Sequence, residues 1–174
     1  MKIVQVVTRL NIGGPALHVV LLNVGLQRQD FDMLLLFGRC ENQEGDMSYL
    51  LDPEVQALSL PVLSRSVRPW DNLRALWRIY RVLRREKPHL IHTHTAMAGC
   101  LGRVAGILAG VPVLVHTFHG NSLRGYFPPL TNAIFLRIER FLARFTDAIC
   151  VLSEQQLQEL SGEFRVARRS KFRL

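Results

Sequence analysis

Short apolar runs of β type alternate with helical stretches along almost the whole chain, which is the pattern of an α/β domain with a mainly parallel sheet. Lys2 to Thr8 (KIVQVVT) reads as the first strand, followed by the loop RLNIGGP and an apolar helical stretch from about Ala16 to Gln27. Phe31 to Phe37 (FDMLLLF) is apolar nearly throughout, as suits a strand buried on both faces. Gly38 to Asp52 is polar and holds four acids, which predicts a surface excursion before a third strand at Val55 to Leu60.

Trp70 to Lys87 predicts a long helix, with Leu73, Leu76, Trp77, Tyr80 and Leu83 as one apolar stripe and Arg74, Arg78, Arg81 and Arg85 along another face. Pro69 and Pro88 bracket it as a start and a stop. His89 to Thr93 is then a strand, Ala96 to Ala109 a small-residue helix closed by Gly110, and Val111 to Phe118 (VPVLVHTF) another strand. Beyond the loop GNSLRGYFPPL, a helix from about Thr131 to Phe145 sets an apolar face of Ile134, Phe135, Ile138, Phe141 and Phe145 against Arg137, Arg140 and Arg144. Ala148 to Leu152 is a last strand, and Ser153 with Gln156 three residues on spells a capping box for a short helix.

At 174 residues the chain is close to one domain, on a prior of roughly 150 residues each. Its 48% apolar and 21% charged content excludes the composition of disordered segments. The run from Val104 to Val115 is broken by Pro112 and falls short of the roughly 18 residues that span a bilayer. No secretory leader is recognisable after Lys2, so the expected compartment is the cytoplasm. Cys40, Cys100 and Cys150 are too few and too scattered for a disulfide framework or a thiolate metal site, and they read as buried reduced thiols. The net charge of +8 falls to +4 without residues 161–174, which hold five of the 22 basic groups and one of the 14 acids. The remaining excess lies on two amphipathic helices, and no recognition-helix motif or interleaved aromatic pattern points to nucleic acid.

Chemistry in a parallel sheet collects at the carboxyl ends of its strands. After the first strand, Arg9-Leu10-Asn11-Ile12-Gly13-Gly14-Pro15 is a strand-to-helix turn. Its paired glycines and the following helix start can offer backbone N–H groups to a phosphate or carboxylate. Both the G-x-G-x-x-G fingerprint and a Walker A loop are absent, so dinucleotide-dependent and nucleotide-hydrolysing readings lose their support. Four histidines lie near the ends of two adjacent strands: His92 and His94 in HTHT, His116 and His119 in HTFHG. Period two puts His92 and His94 on one face. His116, inside its strand, reads as a hydrogen-bonded core residue, whereas His119 lies just past the strand beside Gly120 and reads as functional. No carboxylate is near in sequence and no H-E-x-x-H helix exists, so no metal is expected.

Four segments, MKIVQVVTRLNIGGPALHV, KPHLIHTHTAMAGCLGR, GVPVLVHTFHGNSLRGYF and TDAICVLSE, carry a family resemblance by their order and spacing. Over nearly its whole length the chain resembles the N-terminal domain of family 4 retaining glycosyltransferases. That resemblance implies a single Rossmann-like α/β domain, one half of the two-domain GT-B arrangement, and transfer of a sugar from a nucleotide-sugar to an acceptor without a metal or other cofactor. Gly13 and Gly14 would match the family's glycine loop beside the donor pyrophosphate and acceptor, and His119 the histidine that contacts the transferred sugar. Arg9, Asn11, His94, Arg124 and Tyr126 become acceptor-side candidates by position.

The family's C-terminal domain carries two glutamates separated by seven residues, and here no Glu has another Glu eight positions on. Residues 1–160 are therefore expected to be the acceptor-side domain, and 161–174 a basic tail leading towards a nucleotide-sugar-binding domain that the chain lacks. Such a half enzyme is expected to be inactive alone, because transition-state binding needs both walls of the cleft. The alternative is a non-catalytic binding or partner-docking subunit of a split sugar transferase. The expected partners are a nucleotide-sugar and a carbohydrate or lipid-linked acceptor, with a C-terminal-domain partner chain and an anionic membrane surface as further candidates. Arg137, Arg140 and Arg144 would face that surface, placing the protein peripherally on the inner membrane face.

Overall fold

The computed structural model describes residues 1–41, 44–65, 68–120 and 129–174. Strands β1 (Lys2–Val7), β2 (Asp32–Phe37), β3 (Gln56–Ser59), β4 (Leu90–His94), β5 (Val113–Thr117), β6 (Ala148–Cys150) and β7 (Phe172–Arg173) form one sheet in the order β3-β2-β1-β4-β5-β6-β7. Every neighbouring pair is parallel, giving the expected Rossmann-like class. The chain winds outward from β1 to β3, then crosses back over the sheet to β4. Right-handed crossovers place α1 (Gly14–Gln27) on one face, and α2 (Pro69–Glu86), α3 (Ala96–Ala109) and α4 (Pro129–Phe145) on the other. The cores agree with that assignment. Val7 and Leu35 meet Ala16, Val19 and Val20 of α1, whereas Val6, Ile91 and Leu114 meet Ala75 and Ile79 of α2 and Ala98 and Ala105 of α3.

The expected surface excursion after β2 is present, and it folds back on the loop after β1 through an isolated antiparallel bridge of Asn11 with Asp46. Three sequence expectations need correction. Residues 161–174 are no tail: Phe172 is buried, β7 pairs with β6, and Lys171 Nζ donates to the carbonyls of Ala143, Arg144 and Thr146. The three cysteines are free but only half-buried. The third correction concerns helix faces. On α2 the buried residues are Ala75, Ile79 and Leu83, while Leu73 and Trp77 of the expected stripe turn outward. On α4 the buried residues include Glu139, Leu142 and Ala143, while Ile134, Phe141 and Phe145 are exposed. Both helices carry apolar groups around most of their circumference, so periodicity alone did not say which side meets the sheet. The capping box is present in shifted form: Ser153 Oγ accepts from Gln156 N at 3.1 Å, and Gln156 Oε1 accepts from Leu152 N at 2.9 Å.

Helix α3 sits unusually close to the sheet because its inner face is glycine. A Cβ on Gly99 would lie 2.5 Å from His116 Cε1, and one on Gly102 would lie 2.7 Å from Thr93 Cγ2. Beneath the same helix Arg103, wholly buried, donates through Nη2 to both Glu139 oxygens at 2.8 and 2.7 Å and through Nε to Gly99 O at 2.8 Å. This pair ties α3 to α4. A buried pair costs desolvation on both sides, and removing one member strands the other charge. Glu139→Leu is therefore expected to destabilise by about 3–5 kcal/mol, and the double variant Arg103→Met/Glu139→Leu to recover most of it in urea unfolding. A double variant as unstable as the single one would contradict that account.

Candidate functional site

The strand order reverses between β1 and β4, and a crevice opens at such a switch point outside the carboxyl ends of the strands. Here the two strand ends are pinned together. Thr8 Oγ1 and Thr95 Oγ1 lie 2.6 Å apart, Thr8 N donates to Thr95 Oγ1 at 3.3 Å, and Ala98 N donates to Thr8 Oγ1 at 3.1 Å. Thr95 holds φ 65°, ψ 162°, a conformation that costs a β-branched residue on the order of 1–3 kcal/mol. Strain of this kind is concentrated at binding sites.

The glycine loop stands on that junction. Gly13 (φ 158°, ψ 168°) caps α1 without any side-chain hydrogen bond, Pro15 follows in the first turn, and a Cβ on Gly14 would meet nothing within 4 Å. The helix start is thus open to an anion. The loop is braced from the far side, with Ile12 N donating to Gly45 O at 3.0 Å and Met47 N to Leu10 O at 2.7 Å. Arg9 Nη2 lies 2.7 Å from Glu44 Oε1 and is mostly buried.

One turn into α1, His18 reaches the histidines of the sheet. Its ring centroid lies 5.1 Å from that of His119, edge to face, and 6.1 Å from that of His94. His94 Nδ1 and His119 Nε2 share a hydrogen bond of 2.9 Å, and the His92 ring lies 4.2 Å from that of His94. His92 Nε2 is 2.7 Å from Thr117 Oγ1. His94 Nε2 and His119 Nδ1 are buried without a partner among the described residues. Burial holds every one of these rings neutral at pH 7. Desolvation, with the neighbouring rings His18 and His119, pushes His92 down to about 3. Desolvation and His18 push His119 down to about 4, and His94 lies well below 6.5 through burial and the surrounding histidines. His119 therefore offers hydrogen-bonding nitrogens rather than a cation. Beside it an open groove of about 220 Å³ runs along Gly120, Leu152, Ser153, Gln155, Gln156 and Glu159.

The structure brings Gly13, Gly14, His94 and His119 to one rim through His18, with Arg9 and Asn11 on the adjoining loop. His116 belongs to the core under α3, where its Nδ1 lies 2.9 Å from Thr93 Oγ1 and hydrogen-bonds with it. Arg124 and Tyr126 lie outside the described residues. Among the described residues no group of three His, Cys, Asp or Glu side chains is arranged to hold a metal ion. Sequence reasoning missed His18, Thr95 and Glu44. The signal for His18 was available, since four residues from Gly14 is one helical turn on the same face.

A family description, "Glycosyl transferase 4-like domain", matches residues 13–173. The chain is 33% identical over 132 residues to an Escherichia coli UDP-Gal:alpha-D-GlcNAc-diphosphoundecaprenol alpha-1,3-galactosyltransferase, covering 75% of this chain and 33% of that protein. In fold it superposes on sucrose-phosphate synthase from Thermosynechococcus elongatus with a TM-score of 0.74 at 15% identity, covering all of this chain and 47% of the other. The lipopolysaccharide outer core galactosyltransferase WaaB gives 0.73 at 13% identity, covering all of this chain and 45% of the other. The chain thus spans about a third of that Escherichia coli relative and under half of either structure.

The depressed histidines make stability depend on pH. The unfolded chain takes up these protons near 6.5 and the folded chain only near 3 to 4, so unfolding binds protons and stability falls as pH drops below about 6.5. Each fully buried ring contributes a slope of about 1.4 kcal/mol per pH unit. Urea unfolding between pH 7 and 5, above the ordinary carboxylate range, should show the decline. A flat profile would contradict the burial of neutral imidazoles.

Proposed function

The chain belongs to the glycosyl transferase 4-like family, and from that premise we propose that residues 1–174 form the acceptor-side wall of a retaining hexosyltransferase. Its donor would be a nucleotide-sugar and its acceptor a lipid-linked carbohydrate, met at the inner membrane face. The single observation that carries this reading is the convergence of the uncapped Gly13-Gly14 helix start with His18, His94 and His119. The choice of acceptor is supported by the Escherichia coli relative, named for a diphosphoundecaprenol-linked substrate.

In the proposed reaction the acceptor hydroxyl oxygen bonds to the anomeric carbon as the bond from that carbon to the donor diphosphate breaks. The bonding pair leaves with the nucleoside diphosphate, which takes up the hydroxyl proton. Positive charge develops on the sugar and negative charge on the leaving group, and fixed dipoles aimed at those charges lower the barrier. Neutral His119 would hold a hydroxyl of the transferred sugar, and His94 would fix the ring and its tautomer. The N–H groups at Gly13 and Gly14 would lie beside the donor pyrophosphate and face the diphosphate of the lipid-linked acceptor, and Arg9, Asn11, Arg124 and Tyr126 would flank that acceptor. A partner chain or further domain would supply the donor wall. No metal or cofactor is assigned a role in this reading.

Gly14→Asp places a carboxylate where the diphosphate would sit, at a position with room for it. It should weaken binding of a water-soluble short-chain GlcNAc-diphosphate lipid at least about tenfold in calorimetry, since a charge at a helix start is worth up to about 2 kcal/mol. Unchanged affinity would overturn the anion cradle. Purified residues 1–174 are expected to give no turnover with any nucleotide-sugar, and turnover would overturn the two-wall reading.

A further inference from the structure

The corrected faces of α2 and α4 leave a surface that no described residue covers. Helices α2, α3 and α4 lie side by side on one sheet face. On α2, Trp70 is 76% exposed, Leu73 55% and Trp77 57%, and the Trp77 ring stacks on Tyr80 at 5.5 Å. On α3, Leu108 is exposed, and the helix carries no charge but the buried Arg103. On α4, Phe141 and Phe145 are exposed and lie edge to face at 5.3 Å. Exposed arginines accompany the apolar groups: Arg74, Arg78, Arg81, Arg84 and Arg85 on α2, and Arg137, Arg140 and Arg144 on α4. Asp71, 3.8 Å from Arg74, is the acid at the start of this face.

We infer that the outer face of α2, α3 and α4 docks flat on an anionic lipid bilayer, with Trp70 and Trp77 at the headgroup boundary and the arginines on lipid phosphates. An occupant must be apolar and anionic at once. A second copy would bring two sets of arginines together, so self-association is opposed by charge. Amphipathic helices with tryptophan on one side and arginine beside it lie in the interfacial plane in this way. Orientation agrees with the site. Crossover helices run antiparallel to their strands, so the first turn of α2, with Trp70, lies toward the carboxyl edge that carries His119. The docked face would then hold the crevice within reach of a lipid-linked acceptor. The inference deepens the lipid-linked-acceptor reading and rests on it for preferring a bilayer to an anionic protein.

Trp70 and Trp77 are the only tryptophans in the chain, so intrinsic fluorescence reports this face alone. Vesicles containing phosphatidylglycerol should sediment the purified protein, shift its emission to the blue and, with brominated acyl chains, quench it; pure phosphatidylcholine should do none of these. Trp70→Ala/Trp77→Ala, at exposed positions, should reduce partitioning at least about tenfold, and Arg78→Glu/Arg81→Glu should reduce it similarly, each charge contributing through the surface potential. Both variants should keep their binding of the water-soluble GlcNAc-diphosphate lipid. No sedimentation with anionic vesicles, binding without a change in emission, or a dimer that buries the tryptophans would each overturn the inference. Failure here with acceptor binding retained would leave the transferase reading standing, whereas loss of acceptor binding in Gly14→Asp tests that reading separately.

Discussion

The hydrogen bonds between Thr8 and Thr95 hold the site together, because they close the gap at the point where the sheet changes winding direction. A parallel sheet that runs outward from β1 and then returns to β4 leaves two strand ends with no helix between them. Each end launches a helix, α1 after β1 and α3 after β4, and the glycine loop and the HTHT histidines leave from those ends. Thr95 pays for the junction with a left-handed backbone, and its hydroxyl, with that of Thr8, ties the launch point of α3 to that of α1.

A second constraint follows from the first. Packing four imidazoles around the junction is tolerable only if they are uncharged, since one buried cation among them would face desolvation and its neighbours together. The cluster settles this by direct hydrogen bonding, His94 to His119 and His92 to Thr117. Two buried ring nitrogens, His94 Nε2 and His119 Nδ1, have no partner among the described residues. A buried polar atom left unpaired costs on the order of 1–3 kcal/mol. That cost is easiest to understand at a place where a ligand hydroxyl completes the set.

Much of this was legible in the sequence. Strand and helix alternation marks six of the strands, and Gly13-Gly14 and His119 stand out in the sequence because each follows a strand at a glycine turn. The remainder was hidden for physical reasons. His18 sits in an apolar helix and looks like an isolated polar residue until the sheet histidines arrive beside it. Arg103 and Glu139 are far apart in sequence and look like solvated charges, although together they form a buried pair. Strand β7 is two residues long within a basic segment and shows no apolar run. The outward turn of Trp77 and Phe141 could not be read from spacing, because α2 and α4 each have two apolar sides.

The most direct measurement of the central claim is long-range ¹⁵N–¹H correlation of the histidine rings at pH 7. With both rings neutral, a shared proton between His94 Nδ1 and His119 Nε2 requires them to carry their protons on the same-named nitrogen, either both on Nδ1 or both on Nε2. Two neutral rings in a single matching tautomer are the expected result. An imidazolium at either position would contradict the neutral cluster, and opposite tautomers would show that the two rings do not meet and that the proposed site is not assembled.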